Sequence, residues 1–216
     1  MKYAVLALFI IASAVHLYAS LKKDKKLRAQ SKVFLLLLLL GWYLLAARTV
    51  SVLMVLALFF SWLGDVLLIP DGKKWFVAGG VAFMVSHLFF VLFYSRNVDF
   101  SAIPGWAVAA AAIVYIAVTL LVFKGLRPHL PKALFYPMLA YLLINGTMNC
   151  FALYQLLSLP CAATVIAYIG AVLFFCSDSC LFYTRFKKDT RFKTHFAVML
   201  TYLAGEFLIA LGAAML

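Results

Sequence analysis

The sequence predicts an all-α integral membrane protein, a single compact bundle of eight transmembrane helices with short loops, in one domain that covers residues 1–216. Composition is the first reason: 67% of the residues are hydrophobic and 12% charged, and the mean hydropathy is +1.07, which together exclude a soluble domain. Spacing is the second reason. A helix needs roughly 20 apolar residues to cross the hydrocarbon core, and eight such stretches fill the chain.

The predicted helices follow from the apolar stretches in chain order. The first is expected to be a retained helix, not a signal peptide, because no small-residue cleavage site precedes the basic segment after it. The second is short and forms a tight hairpin with the third around Arg48 and Thr49. Pro70, Pro104 and Pro160 mark helix boundaries. The predicted spans are 2–20, 33–47, 50–69, 75–95, 104–123, 134–157, 160–183 and 195–216.

The basic residues predict how the bundle is oriented. Of the 19 Lys and Arg residues, 16 fall in the alternate loops 21–32, 70–74, 124–133 and 184–194. An excess of Lys and Arg is typical of cytoplasmic loops, so both termini are expected on the non-cytoplasmic side. We therefore expect the net charge of +12 to orient the bundle and to bind anionic lipid headgroups, and we expect no nucleic acid partner. We expect the bacterial inner membrane, with the endoplasmic reticulum as the alternative, and the oligomeric state stays open.

Three acidic residues lie inside apolar segments. Asp65 is in FFSWLGDVLLI, Asp178 in AVLFFCSDSCLFY and Glu206 in VMLTYLAGEFLIALG, although the whole chain has only seven acidic residues. A charged side chain at membrane depth costs several kcal/mol on insertion scales, so such residues usually have a function. These three are therefore the first candidates for a functional site.

The topology predicts that several polar residues share a depth. Asp65 and Asp178 are both expected about five residues before the cytoplasmic ends of their helices, and His87 and Glu206 near the middle of theirs. Helix six carries three polar residues on one face, at spacings of four: Tyr141, Asn145 and Asn149. Their depths, together with that of His16 in the first helix, predict that these side chains line one polar pocket that opens toward the inner leaflet.

Two segments carry a family pattern. Gly64 and Asp65 near a helix end, followed by Gly80, Phe83 and His87 on the next helix, resemble the YhhN-type membrane proteins, the lysoplasmalogenase family. The later segment GAVLFFCSDSCLFYTRF is similar to the second signature of that family through Gly170, Phe174, Ser177 and Asp178, and Thr201 and Tyr202 fit its closing helix. The resemblance covers essentially the whole chain. It departs from the family pattern in Glu206, where Gln is expected, and in Val33, where Pro is expected.

The resemblance implies hydrolysis of the vinyl ether bond of lysoplasmalogens, 1-alkenyl lysophospholipids. The products would be a fatty aldehyde and glycerophosphoethanolamine or glycerophosphocholine. Enol ether hydrolysis begins with protonation of the β-carbon and passes through an oxocarbenium ion that water captures. That chemistry needs one carboxyl that delivers a proton and one that stabilises the cation and activates water, as in glycosidases.

On this reading Asp65 and Asp178 are the acid and the base or stabiliser, with the order of roles open. His87 positions water, relays a proton or contacts the phosphate. Further substrate-binding residues are expected to be Lys32, Tyr141, Asn145, Ser177, Tyr202 and Glu206, with Lys32 and the basic cytoplasmic loops as the candidates that attract the phosphate. No cofactor is expected, since protonation of carbon does not call for a Lewis acid; a metal site of His16, His87, Asp65 and Asp178 is the alternative.

Two other classes of function remain open from the residues alone. A proton-coupled transporter or channel would also use buried Asp, Glu and His, although the sequence shows no inverted repeat with broken helices. Another intramembrane lipid hydrolase is the second alternative. The sequence has neither a Gly-x-Ser-x-Gly nor a His-Glu-x-x-His motif, which counts against the serine and zinc versions.

Overall fold

The computed structural model describes residues 1–187 and 195–216, which form eight α-helices and no β-strand. This confirms the all-α class and the predicted number of helices for the described part of the chain. The helices are α1 (Lys2–Lys22), α2 (Lys25–Ala46), α3 (Val52–Leu67), α4 (Lys73–Arg96), α5 (Gly105–Leu126), α6 (Phe135–Ser158), α7 (Ala162–Phe182) and α8 (Phe196–Met215).

Six of these helices, namely α1, α2, α4, α5, α7 and α8, are long and apolar enough to cross a membrane. The helix α3 is apolar but shorter, with 16 residues, and α6 is long but carries the polar face predicted from the sequence. Large apolar side chains cover the outside of the bundle, for example Ile113 and Leu121 on α5 and Trp106 and Tyr136 at helix ends. Such a surface suits lipid and not water.

The predicted start of α2 is wrong by eight residues. The helix begins at Lys25, where the Asp24 carboxylate accepts a hydrogen bond from the Leu27 N–H at 3.0 Å and so caps the first turn. Hydropathy detects only the apolar part of a helix, and the first two turns of α2 are polar. Most of the predicted loop 21–32 is therefore helical, and α2 is not short.

Two other predicted loops also change. The helix α5 continues to Leu126, and α7 continues as a π-helical turn, Tyr183–Lys187, so the connections after both helices are shorter than 124–133 and 184–194. Three basic residues of the predicted loop 184–194 lie outside the described residues, namely Lys188, Arg191 and Lys193.

Close packing of α7 on α8 and of α3 on α4 places the polar side chains of these helices near one another. At the crossing of α7 and α8, a Cβ on Gly205 would lie 2.9 Å from the carbonyl oxygen of Gly170, so both positions need the smallest residue. At the crossing of α3 and α4, the Phe83 ring fills the space beside Gly64, where a Cβ would lie 2.6 Å from the ring. The helix α6 packs between α4, α5 and α7, and α8 also contacts α1, α2 and α3.

Candidate active site

A cavity of about 330 Å³ opens at the end of the bundle where α2 begins and α3 and α7 end. Its volume is within the usual range for small-molecule sites. Six of the nine predicted site residues line it: Lys32, Asp65, Tyr141, Ser177, Asp178 and Tyr202. The structure therefore brings together side chains from α2, α3, α6, α7 and α8 that are far apart in sequence.

Asp65, near the end of α3, is held by a cation and a hydroxyl. Its side chain is buried, its Oδ1 lies 3.0 Å from the Lys32 Nζ of α2, and its Oδ2 accepts a hydrogen bond of 2.8 Å from the Tyr202 hydroxyl of α8. Lys32, a predicted substrate-binding residue, thus forms an ion pair with a buried carboxylate. An ammonium at this distance favours the ionised form of Asp65.

Asp178, near the end of α7, has a different environment. Its Oδ2 accepts two hydrogen bonds from α6, at 2.6 Å from the Tyr141 hydroxyl and at 2.8 Å from the Asn145 Nδ2. Its Oδ1 has no hydrogen-bond partner among the described residues, and no Lys or Arg of those residues forms an ion pair with this carboxyl. The two cavity carboxyls are therefore both buried but electrostatically unlike.

His87 of α4 is fixed beside Asp178. Its Nδ1 lies 2.6 Å from the Phe83 carbonyl oxygen, which can only accept, so Nδ1 carries the proton and donates. Its Nε2 faces the Asp178 Oδ2 at 3.6 Å, which is too long for a direct hydrogen bond. The ring packs against Phe174 at a centroid distance of 4.8 Å. His87 therefore lies next to Asp178, but it does not line the cavity.

The remaining predicted residues have mixed positions. Ser177 lines the cavity, but its hydroxyl donates to the Val198 carbonyl oxygen at 2.8 Å and so links α7 to α8. Asn145 is buried behind Asp178, and Asn149 donates to the Asn145 carbonyl oxygen. Glu206 is fully buried outside the cavity, and neither of its carboxylate oxygens has a hydrogen-bond partner in the described part of the chain.

Further cations, from the basic loops predicted at 21–32 and 184–194, surround the cavity mouth. Lys25 and Arg28 from the first turns of α2 and Arg185 from the π-helical turn line it, and the Arg185 guanidinium lies 4.8 Å from the centre of the Phe76 ring. With Lys32, the α2 residues follow a spacing of three and four, which places them on one helix face. That signal is readable only once α2 is known to start at Lys25.

His195, at the start of α8, also lines the cavity and does not add a charge at neutral pH. Burial lowers its pKa from the ordinary value of 6.5, and so do the nearby cations Arg28, Lys32 and Arg185. The positive charge at the mouth therefore comes from Lys and Arg side chains, which outnumber the exposed Asp71 carboxylate that also lines the cavity. Such a mouth favours an anionic group on a ligand.

The metal alternative requires three or more His, Cys, Asp or Glu side chains in one group. Within residues 1–187 and 195–216 no such group is arranged to hold a metal ion. The four residues of that alternative are instead engaged separately: Asp65 with Lys32, Asp178 with Tyr141 and Asn145, His87 with Phe83, and His16 with Ser31.

Fold and site together define a polytopic helical membrane protein with two buried carboxyls in a cavity whose mouth is cationic. The family model described as the YhhN family matches residues 27–213 of the 216-residue chain, so this protein belongs to the YhhN family. The comparison with curated proteins and the comparison with solved structures each gave no significant match.

Proposed function

We propose that this protein hydrolyses the vinyl ether bond of lysoplasmalogen, and that Asp178 and Asp65 perform the acid and base steps. The observation that carries the proposal is the pair of buried carboxyls in one cavity, only one of which is neutralised by a lysine. Enol ether hydrolysis needs a proton donor and an anionic stabiliser at the same time. Two carboxyls in contrasting surroundings supply both.

Asp178 is the proton donor in this mechanism. An ionised carboxyl without a cation is costly to bury, so Asp178 carries a proton before substrate binds. The proton resides on Oδ1, because Oδ2 already accepts from Tyr141 and Asn145. It passes to the β-carbon of the vinyl ether, the C=C π bond supplies the electrons, and the positive charge spreads over the α-carbon and the ether oxygen. The two hydrogen bonds to Oδ2 then stabilise the carboxylate that remains.

Asp65 is the stabiliser and the base. Its anionic carboxylate, held by Lys32 and Tyr202, faces the oxocarbenium ion and lowers its energy. Water adds to the α-carbon and gives up a proton to Asp65, which yields a hemiacetal. The hemiacetal hydroxyl then gives its proton to the Asp178 carboxylate as the C=O bond forms, and the bond between that carbon and the glycerol oxygen breaks. The glycerol oxygen takes the proton that Asp65 holds, so the fatty aldehyde and glycerophosphoethanolamine or glycerophosphocholine leave and both carboxyls return to their starting states.

The cations at the cavity mouth would bind the substrate phosphate. Lys25, Arg28 and Arg185 line the cavity, and their charges suit the phosphate of a lipid headgroup. We propose that this end faces the cytoplasm, since it carries most of the basic residues. A cysteine introduced by Lys26→Cys should then react with an impermeant thiol reagent in inside-out vesicles and not in right-side-out vesicles.

The proposal predicts the behaviour of two carboxyl-to-amide variants. Purified protein in detergent should release fatty aldehyde from lysoplasmalogen, and Asp178→Asn should lower the turnover number by a factor of about 10²–10⁴, as loss of a general acid does. Asp65→Asn should lower it similarly, because the oxocarbenium ion then lacks its counter-charge.

Asp99→Asn is the matched control. Asp99 is an exposed carboxylate that caps the short 3₁₀ turn before α5, through a hydrogen bond to the Ser101 N–H. Asparagine caps such a turn equally well, so this variant should keep wild-type activity. Full activity in Asp178→Asn or Asp65→Asn would remove that residue from the mechanism. Proton-coupled transport without aldehyde release would favour the transporter class instead.

A further inference from the structure

His16 of α1 is a buried cavity residue that the proposed mechanism does not use. Its side chain is 1% exposed and lines the cavity. It lies outside residues 27–213, which match the family model. Its Nε2 has no hydrogen-bond partner among the described residues. A buried polar atom in that state usually has a ligand or a water as its partner.

Ser31 of α2 determines which ring nitrogen carries the proton. The Ser31 hydroxyl donates to the Leu27 carbonyl oxygen at 2.7 Å, so its oxygen is left to accept from the His16 Nδ1 at 2.8 Å. The uncharged ring therefore has its hydrogen on Nδ1 and a lone pair on Nε2. That lone pair can accept a hydrogen bond but cannot bind a phosphate oxygen, which is also only an acceptor.

We propose that His16 Nε2 accepts a hydrogen bond from the free sn-2 hydroxyl of the lysophospholipid and so selects lyso substrates. This inference rests on the proposed function, because it names the part of that same substrate that His16 recognises. The chemical order in the lipid is vinyl ether at sn-1, hydroxyl at sn-2 and phosphate at sn-3. The cavity has a chemical partner for each group: the carboxyl pair for the vinyl ether, the His16 acceptor for the hydroxyl and the cationic mouth for the phosphate.

An ethanolamine ammonium could also donate to Nε2, and the choice of substrate separates the two donors. The choline form of lysoplasmalogen has no N–H, so its sn-2 hydroxyl is the only hydrogen-bond donor in the molecule. Its 2-deoxy analogue, a 1-alkenyl propanediol phosphocholine, has no donor at all. The ratio of kcat/KM for these two substrates therefore measures recognition of the hydroxyl alone.

The wild-type protein should prefer the hydroxyl substrate by at least about 10-fold, because the analogue leaves a buried acceptor unpaired. His16→Asn should reduce the ratio to near one: its amide reaches the Nδ1 position and keeps the contact with Ser31, but nothing occupies the Nε2 position. His16→Gln, whose amide oxygen reaches the Nε2 position, should restore much of the preference.

Ser20→Ala is the matched control on the same helix. Ser20 is buried one turn after His16 and does not line the cavity, so this variant should keep the wild-type ratio. Thermal unfolding of each variant shows which of them are folded, and the Asn and Gln variants differ by one methylene, so they test the same position. A ratio that does not change in His16→Asn while aldehyde is still released would overturn the role of His16 alone. Absence of aldehyde from both substrates with wild-type protein would overturn the proposed function and this inference together.

Discussion

At the residue scale, the two cavity carboxyls differ because of their neighbours and not because of their depth. Asp65 has an ammonium at 3.0 Å, whereas Asp178 has only neutral donors. The apolar sequence context of both residues was enough to identify them as candidate site residues. It could not predict which one has a cation, because the contact of Lys32 with Asp65 depends on how α2 and α3 lie side by side.

The ion pair between Lys32 and Asp65 gives a prediction about stability. Lys32→Met should destabilise the protein by about 3 kcal/mol, because it leaves a buried carboxylate without its counter-charge. The double variant Lys32→Met with Asp65→Asn should regain most of that loss, since no charge then remains to be compensated. Thermal or denaturant unfolding in detergent measures both. A Lys32→Met protein as stable as wild type, or a double variant no better than the single one, would contradict the pairing.

The remaining site residues show what spacing can and cannot predict. Tyr141 and Asn145 were expected on one face of α6 from their spacing of four, and both donate to Asp178. The partner of His16 could not be predicted in this way, because Ser31 is on a part of α2 that hydropathy does not recognise as helix. Glu206 was expected to support the site; it is fully buried on α8, one turn after Tyr202, and does not line the cavity.

At the element scale, the helix ends determine the chemistry of the cavity. Asp24 caps α2 and places Lys25, Arg28 and Lys32 on a regular helix face beside the cavity. In a flexible loop, the same basic residues could orient the bundle in the membrane, but they would not form a defined binding site. The polar turns of α2 were the main error of the sequence interpretation, and a capping residue followed by strong helix formers was the signal that could have corrected it.

The crossing of α7 and α8 gives a prediction about packing. Gly205→Val should destabilise the bundle by about 3 kcal/mol or more, because its Cβ would lie 2.9 Å from the backbone at Gly170 and at Phe174, and backbone atoms cannot move aside cheaply. Asp178 is on α7, so the variant should also lose activity. Size-exclusion profiles and thermal unfolding in detergent measure the effect.

Gly105→Ala is the control for that variant. A Cβ at Gly105 meets nothing within 4 Å, and alanine is the better helix former, so this variant should be as stable as wild type or slightly more stable. Equal stability of Gly205→Val and Gly105→Ala would contradict the close helix crossing.

At the scale of the whole molecule, composition and the spacing of apolar stretches were sufficient to predict the fold class, the number of helices and most helix bounds. These properties follow from the thickness of the membrane and the rise of a helix, which act on each segment alone. The lateral arrangement of the helices does not follow from such local rules. This arrangement places Asp65 of α3, Asp178 of α7 and His16 of α1 in the lining of one cavity.

The most direct test of proton delivery by Asp178 is hydrolysis of lysoplasmalogen in D₂O, with mass spectrometry and stereochemical analysis of the aldehyde. If Asp178 delivers its exchangeable proton to the β-carbon, the aldehyde carries one deuterium at C2, in a single configuration. A free enol released into solvent would instead take up deuterium without stereochemical preference. A racemic label, or no aldehyde from folded protein, would contradict proton delivery by a carboxyl fixed in this cavity.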